Sequence, residues 1–223
     1  MKDVDLRDVD SEDIDDLLLE IEVSFQMEFV QNELIYLNTF GELCDYIIQK
    51  IQLNNVNDCT RQQAFYKLRE AILSILPIDR FTIRKDLLLK DILHRSKRRS
   101  TIKKLERKLE FKLGILRPAH WVTGILGMFL LGSLIWLFFH WQSGLVLLII
   151  SLSGLKIAQH FGNELNIDSI EEMVVKMTME NYLKCRRNPR TYHINEIENI
   201  LINWFSESFG LDKNKLTRDT LLR

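Results

Sequence analysis

The sequence predicts an all-α protein built from two helical units and one hairpin of two transmembrane helices. Apolar residues recur at helical spacing along most of the chain, and no stretch alternates like a strand between turn residues. The 223 residues include only three prolines and nine glycines, so few breaks interrupt the helices. One segment contains two long apolar runs, which places a membrane element between the helical parts.

The apolar runs cover residues 121–139 and 144–158. The first is about nineteen residues without a charge, enough to cross the roughly 30 Å hydrocarbon core. The second is shorter and carries Lys156, whose amine can reach the headgroups. Four residues, 140–143, separate the runs, so the helices are antiparallel and both ends leave on one face. The alternative is a hairpin buried in a large soluble core, which a chain of this size supplies poorly.

Small residues in this hairpin are predicted to allow its helices to pack closely. They are Gly124, Gly127, Gly132, Ser133, Ser143 and Ser151.

A strongly basic stretch, residues 94–117, precedes the hairpin. Positively charged flanks remain in the cytoplasm, so we expect a two-helix protein of the cytoplasmic (inner) membrane with both termini cytoplasmic. The cations are expected to contact anionic lipid headgroups, although a solvated helix face is the simpler interpretation. They are Arg95, Lys97, Arg98, Arg99, Lys103, Lys104, Arg107, Lys108, Lys112 and Arg117.

The soluble part contains an internal repeat. Residues 37–47 and 167–177 share apolar spacing after a Thr or Ser that can cap a helix. A second amphipathic helix follows in each copy, and the phrases LPIDRFTIRKDLLL and FGLDKNKLTRDTLL are the clearest match between the copies. Residues 17–29 correspond more weakly to residues 101–113. The hairpin is therefore an insertion in the second copy, and the predicted domains are 1–93, 94–117, 118–160 and 161–223.

The repeated unit resembles the acyl carrier protein family, a small four-helix fold. The helix-then-loop pattern FGLDKNKLTRDTLL is similar to that family's first helix and the loop after it. Residues 10–29 resemble the second helix with its following F-x-I-x-I sequence, and residues 37–48 resemble the last helix. The order along the chain is then second, third and fourth helix before the first, twice over. Either each unit is circularly permuted, or a complete central domain is flanked by two half-domains that complete one another.

The resemblance implies one modification site. Family members attach phosphopantetheine to a serine in an Asp-Ser-Leu sequence, which Asp10-Ser11 matches while Glu12 and the missing preceding Gly do not. The alternative role for Ser11 is to cap the helix that follows. In the second copy the position falls at Arg95, so that copy is not expected to be a carrier.

Other chemistry is not indicated by the sequence. It has no catalytic motif and no metal-ligand spacing, and its three cysteines resemble ordinary thiols of a reducing compartment. His140 falls at the opposite interface from His120 and His160, which excludes a shared metal site. Residues 182–192 mix basic and aromatic side chains, but a solvated linker or a lipid contact is favoured over nucleic-acid binding, since the net charge is −1. No cleaved signal peptide is predicted.

These observations favour a non-enzymatic, acyl-carrier-like adaptor or scaffold on the cytoplasmic face of the membrane. Its expected partners are the lipid bilayer and an unidentified protein, with no nucleic acid. Two alternatives remain: a membrane-tethered acyl carrier that uses Ser11 in a lipid or secondary-metabolite pathway, and a small subunit of a membrane complex.

Overall fold

The protein is mostly helical, which confirms the all-α class. The computed structural model describes Leu6 and residues 9–222, without the side chains of Ser11, Gln31 and Asn32. Helices hold 63% of the residues. The chain forms two compact units: unit 1 comprises Met1–Glu70 with Val174–Arg223, and unit 2 comprises Ala71–Met173.

The helices and strands follow one another along the chain in this order. They are α1 (Ser11–Phe25), α2 (Gln31–Leu34), α3 (Phe40–Lys50), β1 (Asn54–Asn55), α4 (Thr60–Ile75), α5 (Leu89–Ile92), α6 (Arg98–Leu109), β2 (Leu116–Arg117), α7 (His120–Leu137), α8 (Trp141–Phe161), β3 (Glu164–Leu165), α9 (Ile170–Glu180), α10 (Tyr182–Cys185), β4 (Thr191–Tyr192) and α11 (Ile194–Phe209).

The core of unit 1 joins α1 and α3 to α11. Apolar residues of α3 at positions i, i+3, i+4 and i+7 face inward. Phe40 on this face meets the ring of Phe205 edge-on, with centroids 5.1 Å apart. Phe25 at the end of α1 packs in the same way on Trp204, at 6.1 Å. These helices are held together by burial of large apolar side chains, which provides the main driving force for folding.

Unit 2 has its own buried apolar residues and carries the hairpin. On α6 the inward positions Ile102, Leu105 and Leu109 keep helical spacing. They are buried, as are Ile72, Ile83, Leu89, Leu93, Phe111, Leu113, Ile115, Ile170 and Met173 of the same unit.

The two segments of the predicted repeat begin their helices with the same kind of cap. In unit 1 the Thr39 hydroxyl accepts from the Glu42 backbone N–H, and the Glu42 carboxylate accepts from the N–H of Thr39. In unit 2 the Ser169 hydroxyl accepts from the Glu172 N–H at 3.2 Å, and the Glu172 carboxylate accepts from the Asp168 N–H at 2.8 Å. Helices α3 and α9, which follow these caps, are each eleven residues long.

Backbone contacts around the two caps also match. In unit 1 the Phe40 N–H donates to the Thr220 carbonyl at 2.8 Å. The equivalent bond in unit 2 runs from Ile170 to Leu87 at 3.0 Å. A bridge pairs Thr39 with Leu221 in the first case and Leu88 with Ser169 in the second. Each cap therefore receives its loop from the other copy of the repeat.

Residues 17–29 and 101–113, which correspond more weakly in sequence, end their helices in the same way. Helix α1 ends at Gln26 with φ 51°, and α6 ends at Glu110 with φ 68°, both left-handed. The Glu22 carboxylate accepts from the Phe29 N–H, and the Glu106 carboxylate accepts from the Leu113 N–H.

The compact units differ from the predicted domains. A unit ending at residue 93 is wrong, because residues 71–93 belong to unit 2 while residues 174–223 complete unit 1. The reason is the exchange of loops: residues 85–89 bond to residues 168–171, and residues 218–222 bond to residues 38–41. Unit 2 is thus one continuous stretch of the chain, and unit 1 is assembled from the two stretches on either side of it.

Candidate functional site

The hairpin is a pair of exposed apolar helices. Helices α7 and α8 have 18 and 21 residues, so they extend about 27 and 31 Å at 1.5 Å per residue. Both are long and apolar enough to cross a membrane. In their most apolar windows only 6% and 11% of the residues are buried, so the hairpin is not the core of either unit described. Helix α8 also begins and ends about three residues beyond the predicted run.

A tight turn closes the tip of the hairpin. A Cβ added at Gly144 would lie 2.8 Å from the Leu137 backbone, so this close approach requires glycine. Trp136 donates from Nε1 to the Ser143 hydroxyl at 3.1 Å. Trp141, at the start of α8, is 67% exposed, so two tryptophans lie near the tip.

The predicted packing role of the small residues is correct in part. Ser133 and Ser151 are buried, whereas Ser143 is exposed and accepts from Trp136. Gly154, which was not among the predicted residues, lies against Leu126. The prediction is wrong for three glycines, because a Cβ added at any of them would meet nothing within 4 Å. These are Gly124, Gly127 and Gly132.

The base of the hairpin is a two-stranded neck. Strands β2 and β3 pair antiparallel, with Arg117 opposite Glu164. A Cβ added at Gly162 would lie 2.5 Å from the carbonyl carbon of Arg117, so glycine permits the chains to approach here. The neck brings both ends of the insertion together within unit 2.

One residue of the basic stretch is a structural residue of this neck. Arg98 is buried, and its guanidinium donates to the carbonyl oxygens of Leu93 at 3.1 Å and Asn163 at 2.6 Å. Its predicted contact with headgroups is therefore wrong. The planar guanidinium satisfies two buried carbonyls where the chain leaves the hairpin, a geometry that a lysine does not reproduce.

Two further arginines contact the base of the hairpin, Arg99 at the end of α8 and Arg95 at β3. Arg99 donates to the His160 carbonyl at 2.8 Å, and its guanidinium lies 4.9 Å from the centre of the Phe161 ring. Arg95 forms an ion pair with Glu164. A cation at a helix C-terminus is favourable because the helix dipole is negative there. The other seven cations of the stretch are exposed: Lys97, Lys103, Lys104, Arg107, Lys108, Lys112 and Arg117.

Ser11 is the first residue of α1, but the predicted cap is wrong by one residue. Asp10 is the N-cap, and its carboxylate accepts from the Glu12 N–H at 3.1 Å. The hydroxyl of Ser11 lies outside the described side chains, so its modification stays a prediction. The equivalent Arg95 lies in a turn before α6 rather than at a helix start.

A buried polar cluster in unit 1 was missed by sequence reasoning. The side chain of Arg186 is fully buried. Its guanidinium donates to Asp58, to the Thr60 hydroxyl and to the Thr191 hydroxyl, and it lies 3.7 Å from a Glu196 oxygen. The interpretation of residues 182–192 as a solvated linker is wrong at this residue. Arg187, its neighbour, is exposed, and nothing in the pair of arginines indicates which one is buried.

Tyr182 connects the cluster to the chain after β4. Its hydroxyl donates to Glu196 at 3.1 Å and accepts from the His193 N–H at 3.0 Å. Burial raises the pKa of this phenol above its usual value, so it remains a neutral donor. The cluster joins residues 58–60 to residues 182–196, which are the equivalent connections of the two copies.

Among the residues described, the cysteines and histidines form no cluster that could bind a metal ion. Cys44 and Cys185 are buried, and burial raises the pKa of both thiols to about 12. Cys59 is exposed. His120 begins α7, whereas His140 precedes α8 at the tip and makes no side-chain cap bond. Within residues 9–222 no group of three or more His, Cys, Asp and Glu side chains is placed to hold a metal ion.

Comparison of the chain with protein-family models, with curated proteins and with solved structures finds no match.

Proposed function

We propose that this chain is a non-enzymatic membrane scaffold, in which helices α7 and α8 anchor two acyl-carrier-like helical units at the cytoplasmic face. The observation that carries the proposal is the exposed apolar hairpin leaving unit 2 through a closed neck beside seven exposed cations. In water, such a large exposed apolar surface is unfavourable, while in a bilayer it is solvated by lipid.

The cytoplasmic orientation rests on charge. The cations around the neck lie at the end of the hairpin that carries both flanks, and cationic flanks are retained in the cytoplasm. Near an anionic leaflet each exposed Lys or Arg contributes about 1 kcal/mol of attraction. Trp121 at the base and Trp141 at the tip are both exposed, as expected for residues at the two membrane interfaces.

The scaffold role is supported by unit 1. Helix α1 exposes Leu19 and Val23, at 58% and 70%, one turn apart. Acidic residues lie around them, which gives a surface suited to a protein partner. The buried cluster around Arg186 satisfies its own charges, as a structural network does. Hydrolase or transferase activity of the purified protein would contradict the proposal.

Replacing the hairpin tests the anchor. Because Arg117 and Glu164 face each other in an antiparallel pair, residues 118–163 can be exchanged for Asn-Gly, a favoured two-residue turn. We expect the wild-type chain to resist carbonate extraction from membranes and the replaced chain to be soluble and helical. Release of the wild-type chain by carbonate would contradict membrane spanning.

The native cysteines test the orientation. Cys59 is the exposed thiol, whereas Cys44 and Cys185 are buried with raised pKa values and should not react. A membrane-impermeant maleimide should label Cys59 in inside-out vesicles and not in right-side-out vesicles. A Gln142→Cys variant that also carries Cys59→Ser should give the reverse pattern. Labelling of both cysteines from the same side would overturn the proposed topology.

A membrane-tethered acyl carrier is the second candidate. It is favoured by the position of Ser11 as the first residue of α1, directly after the capping Asp10. Intact mass after co-expression with a phosphopantetheinyl transferase tests it. A carrier should gain the mass of the phosphopantetheine group, and Ser11→Ala should abolish the gain. An unchanged mass removes Ser11 as the attachment site.

A further inference from the structure

A depression on unit 2 brings three exposed cations together beside the end of another helix. It is lined by Lys104, Arg107 and Lys108 of α6 and by Ser74 and Ile75 of α4. The cations occupy positions i, i+3 and i+4, which lie on one helix face about 5–6 Å apart. Like charges at this spacing repel one another, so their convergence is unfavourable unless an anion neutralises them.

These cations differ from the arginines of the neck. Arg95, Arg98 and Arg99 have partners in Glu164, Asn163 and His160. Over the part of the chain that the structure describes, Lys104, Arg107 and Lys108 form no ion pair or side-chain hydrogen bond. Their charge is therefore available to a ligand.

Helix dipoles explain only part of this arrangement. Arg107 and Lys108 lie in the last turn of α6, where the negative end of the dipole favours cations. Each helix end contributes only about half a negative charge, so three full positive charges leave the depression positive. Lys104 lies before the last turn, and Ser74 belongs to a different helix.

The two residues of α4 add the features of a lipid phosphate site. The Ser74 hydroxyl donates to the Ala71 carbonyl at 2.7 Å and can rotate to donate to a ligand instead. Ile75 is half-buried and gives the depression an apolar side. A cationic pocket with an apolar wall suits an amphiphile whose head is a phosphate.

We propose that this depression is a binding site for the phosphate of an anionic ligand, either a phospholipid headgroup or a free phosphate ester. For a lipid ligand, the inference rests on the proposed membrane anchorage. It refines that proposal, because a defined site takes the place of a general attraction between the cations and anionic lipid.

Two triple variants of the full chain with equal loss of charge test the site. One carries Lys104→Gln, Arg107→Gln and Lys108→Gln; the control carries Lys97→Gln, Lys103→Gln and Lys112→Gln, which removes exposed cations that do not line the depression. The measurement is the Kd for short-chain phosphatidylglycerol in uncharged detergent micelles. We expect the first variant to lose at least about tenfold in affinity, and the control less than about threefold.

A third variant separates shape from charge. Ser74→Phe keeps every cation but fills the depression with a ring, and the partly exposed position of Ser74 should allow the protein to fold. Affinity should fall as in the first triple variant. Circular dichroism of each variant should match that of the wild-type chain.

Titration with glycerol 3-phosphate distinguishes the two ligand sources. Binding of the soluble ester as tightly as of the lipid assigns the site to a free phosphate compound, and preference for the lipid assigns it to headgroups. Equal losses of affinity in both triple variants, or no binding of either ligand by the wild-type chain, would overturn the proposed site. The anchor is tested separately, since carbonate extraction does not depend on the depression.

Discussion

Individual residues divide the charged groups of this chain into those that hold the fold and those that face solvent. Arg98 and Arg186 are buried and bonded on several sides, while Lys104 and Arg187 lie on the surface. A buried guanidinium is tolerated only when its partners compensate for the lost hydration. Removal of a buried arginine therefore leaves those partners without their own compensation.

Loss of Arg186 should destabilise unit 1 strongly. Arg186→Met leaves Asp58 and Glu196 without their cation; because the Asp58 side chain is 42% exposed and can be hydrated again, we expect a loss of about 1–3 kcal/mol, below that for a fully buried pair. Urea unfolding of the soluble chain with the Asn-Gly turn measures the change. The matched control is Arg187→Met on the exposed neighbour, for which we expect less than about 0.5 kcal/mol. Similar losses in both variants would contradict the structural role of the cluster.

Glu20 should give unit 1 a pH-dependent stability. Burial raises the pKa of this carboxyl above 4.5, and the nearby Glu180 raises it further. The folded state then binds the proton more tightly than the unfolded state, so stability falls as pH rises through the interval between the two pKa values. Glu20→Gln removes this loss.

We therefore expect the urea midpoint of Glu20→Gln to exceed that of the wild-type chain at pH 7. The difference should disappear at about pH 4, where the wild-type carboxyl is protonated. A gain that persists unchanged at acid pH would show that charge is not its cause.

Single elements show where sequence pattern predicts structure and where it does not. The Thr or Ser before each repeated apolar pattern predicted the starts of α3 and α9, because a helix cap is a local interaction; the Glu that completes each cap was not predicted. The apolar runs predicted α7 and α8 because the length and composition of such a run are also local properties of the sequence. The buried place of Arg98 and the contacts of the hairpin glycines depend on chain segments far away in sequence, which local spacing does not specify.

The tip of the hairpin should tolerate no side chain at Gly144. A Cβ there would lie 2.8 Å from the backbone of Leu137, so Gly144→Ala must separate the two helices at the turn. We expect a lower Tm of the detergent-solubilised protein. Gly127→Ala is the matched control, since its Cβ would meet open space and alanine also favours the helix. Equal Tm values for both variants would contradict the described turn.

At the scale of the whole molecule, the repeat is assembled by exchange between its copies. The sequence predicts the duplication, because apolar spacing is retained, but leaves the pairing of the halves open. The two caps are alike and the two loops are alike, so local propensity does not determine which loop pairs with which cap. The pairing depends on chain connectivity and long-range packing.

Removal of α11 should therefore damage the opposite end of the chain. A chain ending at Arg190 lacks Leu201, Trp204 and Phe205, which are buried in the core of unit 1. We expect limited proteolysis to cut within residues 9–70, while the hairpin still resists carbonate extraction. Protection of residues 9–70 in the shortened chain would show that they fold without α11.

The division of unit 1 between the two ends of the chain sets an order for its biosynthesis. The ribosome makes α3 long before α11, and at about 5–20 residues per second the delay is roughly 8–30 s. During that interval unit 2 and its hairpin emerge complete, while the amino-terminal half waits with its apolar face uncovered. If the hairpin anchors the chain as proposed, it can enter the bilayer before unit 1 is complete, and the uncovered apolar face of the amino-terminal half is then the segment that needs protection from aggregation.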